Sequence, residues 1–229
     1  YSNMMVEFSS SICEPFPVTN DYIENNTIIN VDNAYGDEDT TFRFRGGSDA
    51  IIRNNRIIAT GVAMGAYFRD GTDNILFENN YVETYTTTWG ALLFASGVEA
   101  PADRPDSNLF RNNTFYGRSS RALYIQASAG NNRFENNVII GNGNSPYGSS
   151  TVFAPEESYD YFYHNTFASL VNSPVILKDS AIGHARFGAN TNKNNYSNNI
   201  FYTKNGIYVY GCFDYSSTVN YVGNNNLFN

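Results

Sequence analysis

A six-residue phrase recurs along the whole chain: a polar residue, two asparagines, a variable residue and two apolar residues. With some loosening it occurs eight times, at residues 24–29, 53–58, 78–82, 111–115, 135–140, 163–167, 197–201 and 223–228. Successive second asparagines are separated by 29, 25, 33, 24, 28, 34 and 26 residues. An unbroken repeat of this length predicts a solenoid in which every copy marks one coil.

Short stretches of alternating side chains between the copies predict β-strands. They fall at residues 41–45, 65–69, 91–95, 122–126, 151–154, 175–178 and 207–210. Helices are disfavoured, because Gly, Asn, Ser and Thr interrupt every window and β-branched and aromatic residues fill the apolar positions. Leucine-rich repeats need fixed leucines and a helical half, and propeller blades need roughly 40 or more residues. The sequence therefore predicts an all-β fold, a β-solenoid of about eight coils.

The asparagine pairs have a physical role in such a coil. Asparagine tolerates the left-handed backbone conformation that a sharp turn requires, and its amide bonds to nearby backbone groups. Identical amides stacked coil on coil also form ladders along the axis. We expect the same asparagine to shape the turn and to set the register, and we expect His164, which replaces a repeat asparagine, to be structural.

The asparagine phrase with strands on both sides resembles the right-handed parallel β-helix repeats of the pectate-lyase-like superfamily, over residues 23–228. The resemblance implies a right-handed parallel β-helix. It leaves the activity open, because the superfamily includes polysaccharide lyases, glycoside hydrolases, uronan epimerases, phage tail spikes and bacterial surface proteins. The paired aspartates of polygalacturonases are missing, and Gly183-His184-Ala185 lacks the second glycine of their Gly-His-Gly motif, which disfavours the hydrolases.

The two cysteines test the solenoid interpretation. Cys13 precedes the first asparagine pair and Cys212 follows the seventh. About seven rungs at ~4.8 Å would separate them by roughly 34 Å, whereas a disulfide requires Cα atoms within ~7 Å. We predict that they form no intramolecular disulfide. Residues 1–229 are interpreted as a single β-helix domain, a fragment or processed part of a longer chain, with flanking domains or neighbouring subunits as expected partners.

The charge of the chain limits its partners. A formal net charge of -8 repels phosphate backbones and anionic lipid surfaces, so we expect no nucleic acid partner. The longest apolar runs have the length of a strand, so we also expect no membrane insertion.

Alternation within the strands separates core positions from surface positions. The inward set is expected to be Phe42, Phe44, Ala66, Phe68, Leu92, Phe94, Leu123, Ile125, Phe153, Val175, Leu177, Ile207 and Val209. The outward stripe is expected to be Arg43, Arg45, Tyr67, Arg69, Leu93, Ala95, Tyr124, Gln126, Val152, Ala154, Ile176, Lys178, Tyr208 and Tyr210. Four of the fourteen basic residues thus share one face of an acidic protein.

This stripe supplies the candidate site residues. Aromatic faces stack on sugar rings and guanidinium groups bind carboxylate or sulfate, which predicts a carbohydrate groove. Its candidate catalytic residues are Arg45, Tyr67 and Arg69, which would stabilise an enolate and move a proton next to a uronate carboxylate. Its candidate substrate-binding residues are Arg43, Tyr124, Gln126, Lys178, Tyr208 and Tyr210.

The stripe also divides into two clusters, because about four rungs, or ~19 Å, separate Arg69 from Lys178. The first cluster is Arg43, Arg45, Tyr67 and Arg69, and the second is Lys178, Tyr208 and Tyr210. The second cluster has Asp179, His184 and Asp214 close by, and His184 is expected to be a loop residue without a catalytic task. The alternative interpretation of the stripe is structural: outward arginines and tyrosines cover the sheet and pair with Asp49, Asp70 and Asp73.

The sequence gives no motif for a metal or a cofactor. A zinc ligand pattern of Cys and His is missing, and no cofactor is expected. The acidic pairs Glu156-Glu157, 37–39 and Asp70 with Asp73 leave calcium open, although their spacing matches no calcium loop.

Two functions remain. The first is a secreted, cell-surface or periplasmic carbohydrate-active protein, a lyase or epimerase-like enzyme on an anionic polysaccharide or a non-catalytic binder of one. The second is a structural or adhesive solenoid, such as a stalk, a surface protein or a tail-spike segment.

Overall fold

The fold is all-β and consists of stacked coils. The computed structural model describes residues 6–9, 18–31, 40–61, 64–85, 90–95, 105–119, 121–125, 130–142, 152–154, 160–169, 175–179, 195–203, 207–211 and 227–228. These residues form a parallel β-solenoid of about four turns. The predicted solenoid is therefore confirmed, while its right-handedness and its total of eight coils stay predictions.

Three parallel sheets run along the solenoid, and the chain passes through them in the order sheet 1, sheet 2, sheet 3. Sheet 1 contains Tyr22–Glu24, Ile51–Arg53, Leu76–Glu78, Leu109–Arg111, Arg133–Glu135, Tyr161–Tyr163 and Asn195–Ser197. Sheet 2 contains Thr27–Asn30, Arg56–Ala59, Tyr81–Thr84, Thr114–Gly117, Val138–Gly141, Thr166–Ser169, Ile200–Thr203 and Leu227–Phe228. Sheet 3 contains Val6–Ser9, Thr40–Arg45, Met64–Arg69, Leu92–Ala95, Leu123–Ile125, Val152–Ala154, Val175–Asp179 and Ile207–Gly211.

A short fourth ladder lies between sheet 3 and the next strand of sheet 1. Val18–Thr19 pairs with Gly47–Ser48, and single bridges continue the ladder from Ser48 through Asp73 and Asp106 to Gly130. Left-handed residues occupy the turn that follows this ladder, namely Asn20, Asp49, Asn74, Ser107 and Asn131.

The spacing of the repeat varies because only part of each coil has a fixed length. Residues 51–59, 76–84 and 109–117 each contain a strand of sheet 1, the asparagine pair and a strand of sheet 2. The connections to and from sheet 3 differ in length from coil to coil, and these differences produce the loose period.

The two roles that we expected of a single asparagine, shaping the turn and setting the register, belong to different residues of the pair. The first has a positive φ, for example 55° at Asn79 and 57° at Asn112, and lies exposed at the turn. His164 takes this position with a φ of 56°, which confirms its structural role. The second asparagine is buried in the six pairs from Asn55 to Asn199, with 2% of Asn80 and 1% of Asn113 exposed, whereas Asn26 of the first pair is exposed.

The buried asparagines form a continuous hydrogen-bonded ladder between the coils. The backbone N–H of Asn80 donates to Oδ1 of Asn113 over 2.8 Å, and Nδ2 of Asn80 donates to the same oxygen over 3.3 Å. Nδ2 of Asn80 also donates to the carbonyl oxygen of Ile52 over 2.9 Å. The same arrangement repeats with Asn55, Asn137 and Asn165. Each amide is therefore satisfied inside the protein, as burial requires.

Aromatic side chains fill the interior. The middle residues of successive sheet 1 strands stack on one another, with ring centroids 5.0 Å apart for Phe110 and Phe134 and 4.6 Å apart for Phe134 and Phe162. Burial of such a ring stabilises the fold by about 1.5–3 kcal/mol. Sheet 3 confirms the predicted inward positions at Phe42, Phe44, Ala66, Phe68, Leu92, Leu123 and Ile125.

The register of one strand does not match the predicted alternation. Val152 is in register with the buried Leu123 and with Leu177, whereas Phe153 is in register with Tyr124 and Lys178. The side chains of Val152 and Phe153 lie outside the described part of the structure. Three consecutive apolar residues, Val152–Ala154, contain no polar alternation that could set the phase. The side chains of the predicted inward residues Phe94, Val175, Leu177, Ile207 and Val209 lie outside the described part of the structure.

The ladder predicts different costs for the two asparagines of one pair. Replacing Asn113 by Ala removes the acceptor of the Asn80 backbone N–H and of one Nδ2 hydrogen of Asn80, and removes a donor to the Phe77 carbonyl, so we expect a loss of about 2–4 kcal/mol in the free energy of unfolding. The matched control Asn112→Gly keeps the left-handed turn and should change it by less than about 1 kcal/mol. Urea unfolding of both variants measures the difference, and equal losses would contradict the division of roles.

Candidate functional site

The strand register of sheet 3 places the predicted stripe on straight lines. One line of register contains Glu7, Arg43, Tyr67, Leu93, Tyr124, Phe153, Lys178 and Tyr210. A second line contains Ser9, Arg45, Arg69 and Ala95. Three strands lie between those of Arg69 and Lys178, which confirms the predicted separation of four rungs.

Two arginines converge on one carboxylate at the first cluster. Nε of Arg45 lies 2.7 Å from Oδ2 of Asp70, and Nε of Arg69 lies 3.0 Å from the same oxygen. Asp70 follows the strand Met64–Arg69 in a left-handed conformation, with a φ of 49°, and its side chain is 7% exposed. Of the three acids expected to pair with the stripe, Asp70 is thus placed directly between two of its arginines.

Tyr67 lies beside two guanidinium groups. Cζ of Arg43 is 5.4 Å from the centroid of its ring, and Cζ of Arg69 is 5.9 Å from it. These distances are typical of cation–π contacts. We call Arg43, Arg45, Tyr67, Arg69 and Asp70 the arginine cluster. It holds three formal positive charges and one negative charge in a chain of net charge -8.

The arginine cluster is only partly open to solvent. Arg43 is 3% exposed and Tyr67 is 6% exposed. The side chains of Arg45 and Arg69 are 28% and 16% exposed, so these two present the accessible guanidinium surface. Tyr124, two rungs away, is half-buried beneath Arg121, whose Cζ lies 4.7 Å from the Tyr124 ring. The sequence analysis did not include Arg121, because it precedes its strand.

Several predicted site residues lie beyond what the structure describes. Gln126, His184 and Asp214 lie outside the described residues, as do both cysteines. Lys178 and Tyr210 are in register with each other, and Tyr208 is in register with Ile176, but their side chains are outside the described part. The acids Glu156 and Glu157 and residues 37–39 also fall outside it.

Sheet 2 carries a second cluster that the sequence analysis missed. It consists of Tyr81, Glu83 and Tyr85 from one coil and Tyr116 and Arg118 from the next, and we call it the tyrosine–arginine cluster. Nε of Arg118 donates to Oε1 of Glu83, and the Tyr81 hydroxyl donates to Oε2 of Glu83 over 2.8 Å. The alternation of Tyr81, Glu83 and Tyr85 was a usable signal, because every second residue of a strand faces the same side.

The hydrogen bonds at Glu83 control the ionisation of this cluster. Burial alone would raise the pKa of Glu83, but hydrogen bonds from Arg118, Tyr81 and Tyr85 lower it overall. Burial and the bond to Glu83 raise the pKa of Tyr81 to about 12, and the bond to Glu83 also raises the pKa of Arg118. Glu83 and Arg118 therefore stay ionised across the physiological pH range, and the phenol of Tyr81 stays protonated.

Sheet 1 presents a column of alternating charge on its outer face. The register aligns Glu24, Arg53, Glu78, Arg111 and Glu135 on successive coils. Nε of Arg53 lies 2.8 Å from Oε2 of Glu24, and Nε of Arg111 lies 2.8 Å from Oε2 of Glu78. The alternation gives each arginine of this column a glutamate on both neighbouring coils, so the column offers no surplus of positive charge to an anionic ligand.

The fourth ladder brings carboxylates together. Oδ1 of Asp73 accepts the backbone N–H of Asp106 over 3.1 Å. Burial, first of all, raises the pKa of Asp73; the Asp106 N–H opposes this, and the carboxylates of Asp106 and Asp49 add to the rise. Among the described residues, no group of three Asp, Glu, His or Cys side chains is arranged to hold a metal ion.

Comparison with known proteins gives no relative for this chain. No family model, no curated protein and no solved structure matches it. In the portion of the chain that the structure describes, no helix is long and apolar enough to cross a membrane.

The raised pKa of Asp73 predicts that removing this carboxylate stabilises the fold to an extent that depends on pH. Ionised Asp73 is disfavoured in the fold, so its charge reduces stability once the pH exceeds its ordinary pKa of 3.8. Asp73→Asn keeps the acceptor for Asp106 and removes the charge. We expect it to raise the free energy of unfolding at neutral pH by a fraction of a kcal/mol, since solvent screens a half-exposed group. The gain should vanish below pH 3.8.

Asp49→Asn is the companion variant for Asp73→Asn, because the exposed carboxylate of Asp49 makes only the smallest contribution to the raised pKa of Asp73. It should show a smaller dependence on pH in the same chemical unfolding series. A gain at Asp73 that persists unchanged in acid would contradict the electrostatic cause.

Glu83→Gln should lower the free energy of unfolding at neutral pH, the opposite of the effect expected for Asp73→Asn. The lowered pKa of Glu83 means that its ionised form stabilises the fold above its ordinary pKa of 4.5, and that this contribution is lost as the pH falls through the lowered value. We expect the variant to unfold more easily at neutral pH and to approach the parent protein in acid. Chemical unfolding as a function of pH measures this, with Glu135→Gln on the sheet 1 face as the control.

Proposed function

We propose that this chain belongs to a right-handed parallel β-helix of about eight coils, of the pectate-lyase-like superfamily, that acts outside the cytoplasm. Its task is to bind an anionic polysaccharide along the outer face of sheet 3. The parallel solenoid and the asparagine repeat support the superfamily proposal. A secreted or cell-surface location, or the periplasm, follows from such a ligand.

The arginine cluster carries the proposal. Arg45 and Arg69 share one carboxylate, that of Asp70, and both guanidinium groups reach solvent. Nε of Arg45 donates to Oδ2 of Asp70, and Arg69 forms an ion pair with the same oxygen, so both guanidinium groups are restrained. A guanidinium fixed in this way can present its outer nitrogens to a carboxylate or sulfate with little loss of conformational entropy.

The length of the face favours a polymer. Tyr124, Lys178 and Tyr210 continue the line of Arg43 and Tyr67 along the axis. At ~4.8 Å per rung, the four rungs from Arg69 to Lys178 cover about 19 Å. A single sugar unit is too short to reach both ends, whereas a chain of uronate or sulfated residues extends along them.

Binding is favoured over catalysis by the burial of Tyr67. In a lyase or epimerase, Arg45 and Arg69 would neutralise the uronate carboxylate and Tyr67 would transfer the α-proton. Tyr67 is 6% exposed and lies beside Arg43 and Arg69, so a sugar would need displacement of a guanidinium to reach it. A lyase would form an unsaturated uronate with new ultraviolet absorbance, and we expect none.

A structural solenoid is the second candidate, and the ion pairs at Asp70 favour it. Both arginines that remain accessible already have a carboxylate partner. In that function the arginine cluster would cover sheet 3 and hold successive coils together, with flanking domains or neighbouring subunits as the partners of the solenoid.

Asp70→Asn distinguishes the two candidates. Asparagine fits the left-handed backbone at this position and removes the internal anion that competes with a ligand. If sheet 3 binds a uronan, the variant should bind polygalacturonate or alginate more tightly. Its binding should also weaken more steeply with added salt, because more of the guanidinium charge is available to the polymer. Affinity electrophoresis in gels containing each polymer measures this.

Arg69→Ala should weaken the same binding by roughly tenfold or more, as expected for a charge-assisted contact. Arg133→Ala is the matched control, because Arg133 is also an ion-paired arginine but lies on sheet 1. Retention that is unchanged in Asp70→Asn and in Arg69→Ala would exclude the polysaccharide face and leave the structural function.

A further inference from the structure

We propose that the outer face of sheet 2 carries a second binding site, for an uncharged carbohydrate chain, at the tyrosine–arginine cluster. This site is separate from the arginine cluster on sheet 3, and its ligand differs in charge.

Arg118 is held in a fixed orientation by three neighbours. Its Nε donates to Glu83, which is 4% exposed, and its Cζ lies 5.1 Å from the Tyr85 ring and 4.7 Å from the Tyr116 ring. Its side chain is nevertheless 42% exposed. Within the described residues its Nη nitrogens have no hydrogen-bond partner, so they are available as a donor pair on a rigid support.

The tyrosines supply ring surface and further hydrogen-bonding groups. Tyr85 is 41% exposed. The hydroxyl of Tyr81 donates to Glu83, which leaves the lone pairs of its oxygen as acceptors. The hydroxyl oxygen of Tyr116 accepts a hydrogen bond from Nδ2 of Asn142 over 3.2 Å, which leaves the hydroxyl hydrogen of Tyr116 to donate. Aromatic faces beside donors and acceptors match the apolar faces and hydroxyls of a pyranose.

The charge of the cluster selects an uncharged ligand. Glu83 neutralises Arg118, whereas on sheet 3 the one carboxylate of Asp70 is shared by Arg45 and Arg69. Arg56 from the preceding coil packs against the Tyr81 ring at 5.8 Å and is exposed, so solvent screens its charge.

The sheet extends this platform along the axis with apolar groups. Val138 and Ile140 follow Thr114 and Tyr116 in register on the next coil, and Val138 is 38% exposed. A chain of sugars lying along the axis would therefore pass from the tyrosines to an aliphatic surface. An acidic chain would meet no further cation at Val138 or Ile140.

Calorimetric titration with cellohexaose, xylohexaose and maltohexaose tests the proposal, with hexagalacturonate as the anionic probe. We expect at least one neutral hexasaccharide to bind, with an affinity that does not change with salt. Tyr85→Ala should weaken this binding roughly tenfold or more, because it removes the most exposed ring of the cluster. Arg118→Lys keeps a charge beside Glu83 but removes the planar donor pair, and should also weaken binding.

Tyr22→Ala is the matched control. Tyr22 is 52% exposed and has Cζ of Arg53 4.9 Å from its ring, but it lies on sheet 1. Its replacement should leave binding unchanged, and unfolding midpoints should show that all variants are folded. Arg69→Ala should also leave neutral binding intact, which separates this proposal from that for sheet 3. Failure of all three neutral probes, equal loss in Tyr22→Ala, or binding of hexagalacturonate alone would overturn it.

Discussion

The buried asparagine amide shared by successive coils is the interaction on which the rest of the structure depends. An amide has one oxygen acceptor and two N–H donors, and at Asn113 every one of them is used along the axis. A neighbouring coil shifted by one residue would offer the exposed, left-handed asparagine at this place and leave buried groups without partners. The amide therefore fixes the register of the whole coil, including strands distant from it in sequence.

Because the register is fixed, equivalent side chains of successive coils form columns along the axis. Like charges in one column would repel at every rung. Each sheet face limits this repulsion in a different way. Sheet 1 alternates glutamate and arginine from Glu24 to Glu135. Sheet 3 places Arg45 and Arg69 on adjacent rungs and inserts the carboxylate of Asp70 between them. Sheet 2 separates its charges with tyrosines and pairs Glu83 with Arg118 across two coils.

The sequence was sufficient for the parallel solenoid and for the inward line of Phe42, Phe44 and Phe68, because identical asparagines recur and apolar and polar residues alternate. It was insufficient where alternation fails, as at Val152–Ala154. The ion pairs at Asp70 and the cluster around Glu83 join residues 25 and 35 positions apart, at separations set by connections of irregular length. Side-chain burial at Arg43 and Tyr67 likewise depends on what packs over the strand, which strand periodicity does not encode.

The separation between scaffold and surface explains how one fold can present different chemistries on its faces. The ladder and the phenylalanine stack occupy the interior, so the outer columns are free to differ in composition. Sheet 1 alternates opposite charges, sheet 3 places two arginines against one shared carboxylate, and sheet 2 presents aromatic rings around a neutral pair. Because every column follows the axis, a ligand that matches one of them must be extended and repetitive. This is the physical reason for favouring polymeric carbohydrates over small molecules on both faces.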